Sequence, residues 1–142
     1  MERADGWRAA LHGTGRPSPY AVPGAWTAGA GHAQGRRLAG DPTVTAIFCA
    51  SDQIALGVLR ALHEAGRRVP DEVSVVGFDD VPDAGYFLPP LTTVRQDFAQ
   101  LGRRSLDLLL ARLDGLGPQA APERVLLIPR LVVRGSTAPP PR

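Results

Sequence analysis

Two adjacent carboxylates, Asp79 and Asp80, close the segment Val73-Ser74-Val75-Val76-Gly77-Phe78. That segment is short, largely apolar and β-branched, the pattern of a strand buried on both faces. In open α/β sheets ligands collect beyond the carboxyl ends of such strands. A carboxylate placed there accepts hydrogen bonds from neighbouring hydroxyls, the chemistry needed to hold a polyol or sugar. On residue types alone two other roles stay open, a cap on the turn and a metal pair. No third carboxylate or histidine stands at ligand spacing to complete a metal site.

Ser51-Asp52 occupies the equivalent place at the end of a second apolar run, Val44 to Ala50. Either side-chain oxygen can satisfy a free amide in the first turn of the following helix, and the cap is expected at Asp52. Catalytic constellations are weak. His12, His32 and His63 lie far apart in the chain, and Cys49 sits inside the apolar F-C-A, where it reads as an inert buried thiol. The glycines from Gly29 to Gly35 lack dinucleotide spacing, and without lysine no phosphate-binding G-x-x-x-x-G-K exists. The enzymatic alternative is an Asp-dependent hydrolase or phosphatase with Asp79 as nucleophile or metal ligand. The reading adopted is a binding domain without catalytic residues, metal or cofactor.

The elements that must position these groups alternate. Helices are expected over Glu2–Leu11 and Ala28–Ala39, then a strand over Val44–Ala50. A helix follows from Ser51 or Asp52, striped by Ile54, Ala55, Val58, Leu59 and Leu62 and ended by Gly66. Next come the strand Val73–Phe78, a loop to Pro90, the strand Thr92–Arg95 and a strongly periodic helix Asp97–Leu113 closed by Asp114-Gly115. Short strands are expected near Tyr20–Val22, at Val125–Ile128 and at Leu131–Arg134. Such alternation argues for an α/β fold with a parallel, helix-covered sheet. The last long helix carries apolar residues at 98, 101, 106, 109, 110 and 113, a stripe that needs a larger partner surface than the remaining strands supply.

At 142 residues the chain is sized for one domain, and its 44% hydrophobic content suits a globular protein. No run approaches the roughly 18 apolar residues of a membrane span. The charged start M-E-R-A-D-G-W-R is no secretory signal. A single cysteine cannot form an internal disulfide, which fits a cytoplasmic location. All sixteen basic residues are arginine, the net charge is only +2, and the arginines are scattered, so a nucleic-acid face is poorly supported.

The sequence V-P-D-E-V-S-V-V-G-F-D-D at 69–80, with P-P-L-T-T-V-R-Q at 89–96, resembles the effector-binding domain of the LacI/GalR family of bacterial transcription repressors. The resemblance runs from about Arg3 to Pro139. It implies one lobe of a periplasmic-binding-protein-like (type I) fold, truncated, with most of the N-terminal lobe and the DNA-reading helix-turn-helix missing. Residues 1–135 would form the effector domain, with the helix at 97–114 belonging to the other lobe. Residues 136–142 would be a disordered Pro-rich tail.

The same resemblance assigns site residues. Asp79 would grip the effector's hydroxyls while Asp80 stays structural. Ser51 stands where the family usually carries Asn, so its contact would be weakened or water-mediated. Arg3, opening R-x-x-G-W, would reach the ligand. Trp26 would pack its flat face on a sugar ring, and Gln96 and Phe98 would line the cleft. Leu56, Leu59, Arg60, His63 and Phe87 would form the surface through which two copies pair, core packing being the alternative for the leucines. The implied function is allosteric control of operator DNA by a sugar or related metabolite, in a homodimer whose DNA contacts lie outside this sequence. A periplasmic sugar-binding protein serving a transporter is the alternative on the same fold.

Overall fold

A computed structural model of the chain describes residues 2–15, 23–113 and 126–140. Its core is the unit β1-α3-β2: strand β1 (Ala46–Phe48), helix α3 (Asp52–Glu64) and strand β2 (Ser74–Asp79). Strand β3 (Thr92–Arg95) adds in parallel to β2, and β4 (Arg130–Val132) adds antiparallel to β3. Among the described residues the sheet order is β1-β2-β3-β4. Ile47 pairs with Val75, and Gly77 with Thr93, which brings the carboxyl ends of β2 and β3 side by side. Helices α1 (Glu2–Gly13), α2 (Ala28–Ala39) and α4 (Phe98–Leu113) complete the set, with a 3-10 turn at Pro82–Tyr86.

The α3 stripe does what its periodicity predicts. Ala55, Val58, Leu59 and Leu62 are buried with Ile47, Val73, Val75 and Leu91 in one core. Two of the glycines of helix α2, Gly31 and Gly35, are buried against α3. A Cβ on Gly57 would fall 1.9 Å from the Ala28 carbonyl oxygen, and one on Gly31 would fall 2.2 Å from that of Ile54. The two backbones therefore touch, and only hydrogen fits between them. Arg67 fastens the far end by donating to the carbonyls of Ala39, Asp41 and Val44.

Three expectations need correction. The strand expected over Val44–Ala50 is only Ala46–Phe48, although Ser74 N–H donates to Thr45 O and Cys49 N–H to Val76 O at its edges. Residues 126–128 form no strand, and Val125 lies outside the described residues, as do the segment at 20–22 and Asp114-Gly115. The tail beginning at residue 136 is built into the fold. β4 returns the chain to the start of β2 and β3, where backbone groups still lack partners. Ser136 supplies them: Val75 N–H donates to its carbonyl (2.8 Å), Thr92 N–H to its Oγ (2.8 Å), and that hydroxyl donates to Val75 O (2.6 Å). Ser136 is fully buried, and Ala138 pairs with the Ser74 side chain. Residues 141 and 142 lie outside the described residues.

Candidate functional site

Strand β2 delivers Asp79 and Asp80 to the carboxyl edge of the sheet, and the backbone there is unusual. Both residues have positive φ, 110° and 56°. Left-handed backbone is tolerated by aspartate better than by most residues, yet it costs on the order of 1–3 kcal/mol per residue. Surrounding contacts must hold such a turn, and three sets do.

The first set meets Asp79. Arg3, in the first turn of α1, donates from Nη2 to Asp79 Oδ1 at 3.1 Å and from Nη1 to the Ala50 carbonyl. Gln96, just past β3, donates from Nε2 to the same Oδ1 at 2.9 Å. No donor among the described residues reaches Oδ2, which leaves an acceptor on a partly exposed carboxylate. The Arg3 guanidinium lies 4.0 Å from the Phe78 ring centre and 5.3 Å from that of Trp26. Phe78 in turn meets Phe48 edge to face at 6.5 Å. A cation resting on aromatic faces is oriented as well as attracted.

The second set meets Asp80, whose side chain is 3% exposed. Arg95 pairs with Oδ2, and Arg134 approaches Oδ1 at 2.7 Å while donating to Leu91 O. Burial alone would raise the Asp80 pKa, but the two guanidiniums outweigh it and hold the carboxyl below its ordinary value. The third set starts from Asp52. Its Oδ1 accepts from Thr93 Oγ1 at 2.6 Å and its Oδ2 from Val81 N–H at 2.8 Å. Burial pushes its pKa up, against the lowering effect of those two bonds.

The structure therefore brings Arg3, Trp26, Asp79 and Gln96 together. Ser51 directly follows Ala50, whose carbonyl Arg3 touches, but its hydroxyl is engaged elsewhere. Ser51 is 4% exposed, and its hydroxyl accepts from Ile54 N–H at 3.3 Å as the cap of α3. The cap expected at Asp52 is therefore made by Ser51, and Asp52 reaches across to β3 and the turn instead. Phe98 stands exposed at the first position of α4. Phe78 and Phe48 were missed; their positions two residues from Val76 and Ala46 on their strands were the available signal, because alternation puts them on the face opposite Gly77 and Ile47. Arg95, Arg134 and Thr93 were missed as well: Thr93 and Arg95 lie inside P-P-L-T-T-V-R-Q, but nothing local marks their pairing with Asp52 and Asp80.

Residues 2–137 match the family described as the periplasmic binding protein-like domain. The chain belongs to that family. It is 43% identical over 141 residues to the lactose operon repressor of Klebsiella pneumoniae, a match covering 96% of this chain and 38% of that protein. Among solved structures, a dimeric lac repressor with a C-terminal deletion superposes with a TM-score of 0.87 at 40% identity, covering 97% of this chain and 50% of that one. A complex of the transcriptional regulator CelR with cellobiose gives 0.88 at 39% identity, covering 95% and 42%. The chain thus spans 38% of the repressor, 50% of the lac repressor chain and 42% of the CelR chain. The LacI-type resemblance read from the motifs holds, as does the periplasmic-binding-protein-like α/β fold.

The surface assigned to pairing is only partly available on this periplasmic-binding-protein-like domain. Leu59 is 4% exposed inside the core, so it leaves that set. Leu56 is exposed, Arg60 is exposed and bonded to Glu64 at 2.6 Å, and His63 lines a hollow of about 540 Å³ with Leu88 and Pro89. Phe87 packs partly against the core. That hollow is separate from the Asp79 cluster: its lining includes none of Arg3, Asp79 or Gln96. Among the described residues no helix is long and apolar enough to cross a membrane.

Proposed function

We propose that the chain is the effector-sensing domain of a LacI-type transcription regulator and that Asp79 receives the hydroxyls of a sugar or related metabolite. One observation carries the reading: Arg3 and Gln96 converge on a single oxygen of Asp79, fixing its carboxylate while the second oxygen stays open. Trp26, exposed beside Arg3, offers a flat apolar face suited to the C–H side of a sugar ring. Phe98 and Gln96 mark the edge where α4 leaves the sheet. The cellobiose bound by CelR is consistent with this chemistry.

The ligand acts as an allosteric effector because it prefers one arrangement of the whole protein over another, which shifts operator affinity by linkage. DNA binding belongs to the whole regulator. Pairing of two copies uses Leu56, Arg60, His63 and Phe87, on the exposed side of α3 and the turn after β2. The domain is not an enzyme.

The test is calorimetric titration of a panel of mono- and disaccharides, cellobiose and lactose included, into the wild-type protein and Asp79→Asn. An amide at this position keeps the shape but turns one acceptor into a donor. Loss of roughly tenfold or more in affinity with an unchanged melting temperature is expected. Equal affinity for the two proteins would reject Asp79 as the hydroxyl acceptor. Turnover of a phosphate ester with magnesium would favour the hydrolase instead.

A further inference from the structure

We infer that Asp52 is a positioning residue for the ligand site, its buried carboxylate fixing the left-handed turn that aims Asp79. The inference rests on Asp79 being the hydroxyl acceptor. Two successive non-glycine residues with positive φ do not hold that conformation unaided. The contacts of Asp79 and Asp80 themselves restrain side chains. Asp52 restrains backbone: Val81 N–H, the first amide beyond the turn, donates to its Oδ2 at 2.8 Å.

The anchor is itself immobilised. Thr93 Oγ1, on the neighbouring strand, donates to Oδ1 at 2.6 Å. Gly77 lies directly beneath, where a Cβ would fall 2.2 Å from the same oxygen. Asp52 is fully buried at the first position of α3, behind the Ser51 cap. One side chain therefore ties the start of α3, the middle of β3 and the exit of the β2 turn. A buried polar network satisfied at every member favours one geometry over its neighbours. Asp79 and Asp80 crowd it with like charge, and each of them is paired in turn, Asp79 with Arg3 and Asp80 with Arg95 and Arg134.

Substitutions separate positioning from plain folding. Asp52→Asn can still accept from Val81 N–H and can donate its amide to Thr93 Oγ1, so it should rescue. Asp52→Ala removes both bonds, and Thr93→Val removes one. Val58→Ala thins the core of α3 away from the turn and serves as the structural control. The experiment combines saccharide calorimetry with amide hydrogen exchange at Val81, below the melting temperature of every variant. Asp52→Ala should weaken binding about tenfold or more and speed exchange at Val81, Thr93→Val less so, and Asp52→Asn should stay within about threefold of wild type. Val58→Ala should lower the melting temperature and leave affinity unchanged. Where Asp52→Ala does not fold, Thr93→Val decides. Unchanged affinity and Val81 protection in Asp52→Ala and Thr93→Val would overturn the inference, as would equal loss of affinity in Val58→Ala. A wild-type protein that binds no saccharide overturns the Asp79 reading instead, and slow exchange at Val81 that Asp52→Ala abolishes would still uphold the anchoring.

Discussion

Arg3 touches a carboxylate, a backbone carbonyl and two aromatic rings at once. Only a planar guanidinium does this, because its donors spread in one plane while its faces stay free to stack. Lysine keeps the charge but has no flat face and cannot reach Asp79 and Ala50 O in the same geometry. Arg3→Lys should therefore weaken saccharide binding by about tenfold while the melting temperature hardly moves, since the side chain is partly exposed. Calorimetry beside a thermal melt checks this, and full affinity in Arg3→Lys would reduce Arg3 to a surface charge. The place of Asp79 at the carboxyl end of an apolar strand was legible in the sequence, whereas the ligand role proposed for it came from the family resemblance, because residue types alone left a turn cap and a metal pair open. For Asp52 the role was not legible. Its position at a helix start invites the capping role, yet Ser51 takes that role, and the bond to Thr93 links residues 41 apart in sequence.

At the scale of elements, local periodicity carried most of the fold. The bounds of α2 and β3 follow from the sequence as they stand, because punctuation by Pro42, Pro90 and Gln96-Asp97 is local. The built-in tail was illegible because nothing in S-T-A-P announces that Val75 and Thr92 lack partners. Ser136→Ala should leave the buried Thr92 amide unsatisfied and cost about 1–3 kcal/mol in urea denaturation; a mobile tail would make the substitution silent. The α2–α3 contact gives a second measurement. Gly57→Ala pushes a methyl into the Ala28 carbonyl, and overpacking of this kind costs about 1–3 kcal/mol, read in the same experiment. Acid should loosen the same pair of helices. Glu64 on α3 accepts from His32 on α2 at 2.7 Å and from Arg60, and those hydrogen bonds hold its pKa at about 2, below the ordinary 4.5. A folded-state pKa that is depressed contributes stability above the ordinary value, and the contribution fades as pH falls from 4.5 toward 2. The urea midpoint should therefore drop over that window, and less steeply in Glu64→Gln. Equal slopes would mean that the link between the helices is not felt.

The molecule as a whole has one face that its own described residues leave bare. Helix α4 is amphipathic, yet none of its residues is buried, and Phe98, Leu101, Leu106, Leu109, Leu110 and Leu113 are all exposed. Full burial of side chains of this size is worth roughly 1.5–3 kcal/mol each, so the helix forgoes most of what its sequence pattern could contribute. The apolar stripe read from the sequence was right about the helix and right that the strands present could not cover it. Contiguous apolar surface of this kind attracts other apolar surface. The 142-residue chain on its own should bind a hydrophobic dye, and its sedimentation coefficient should rise with concentration. Replacing Leu106, Leu109 and Leu110 together by glutamate should suppress both effects and spare the melting of β1-α3-β2, because those side chains touch none of its core. A chain that sediments as one species at every concentration, melts sharply and leaves the dye dark would show that α4 is covered by its own chain, and the exposed stripe would lose its significance.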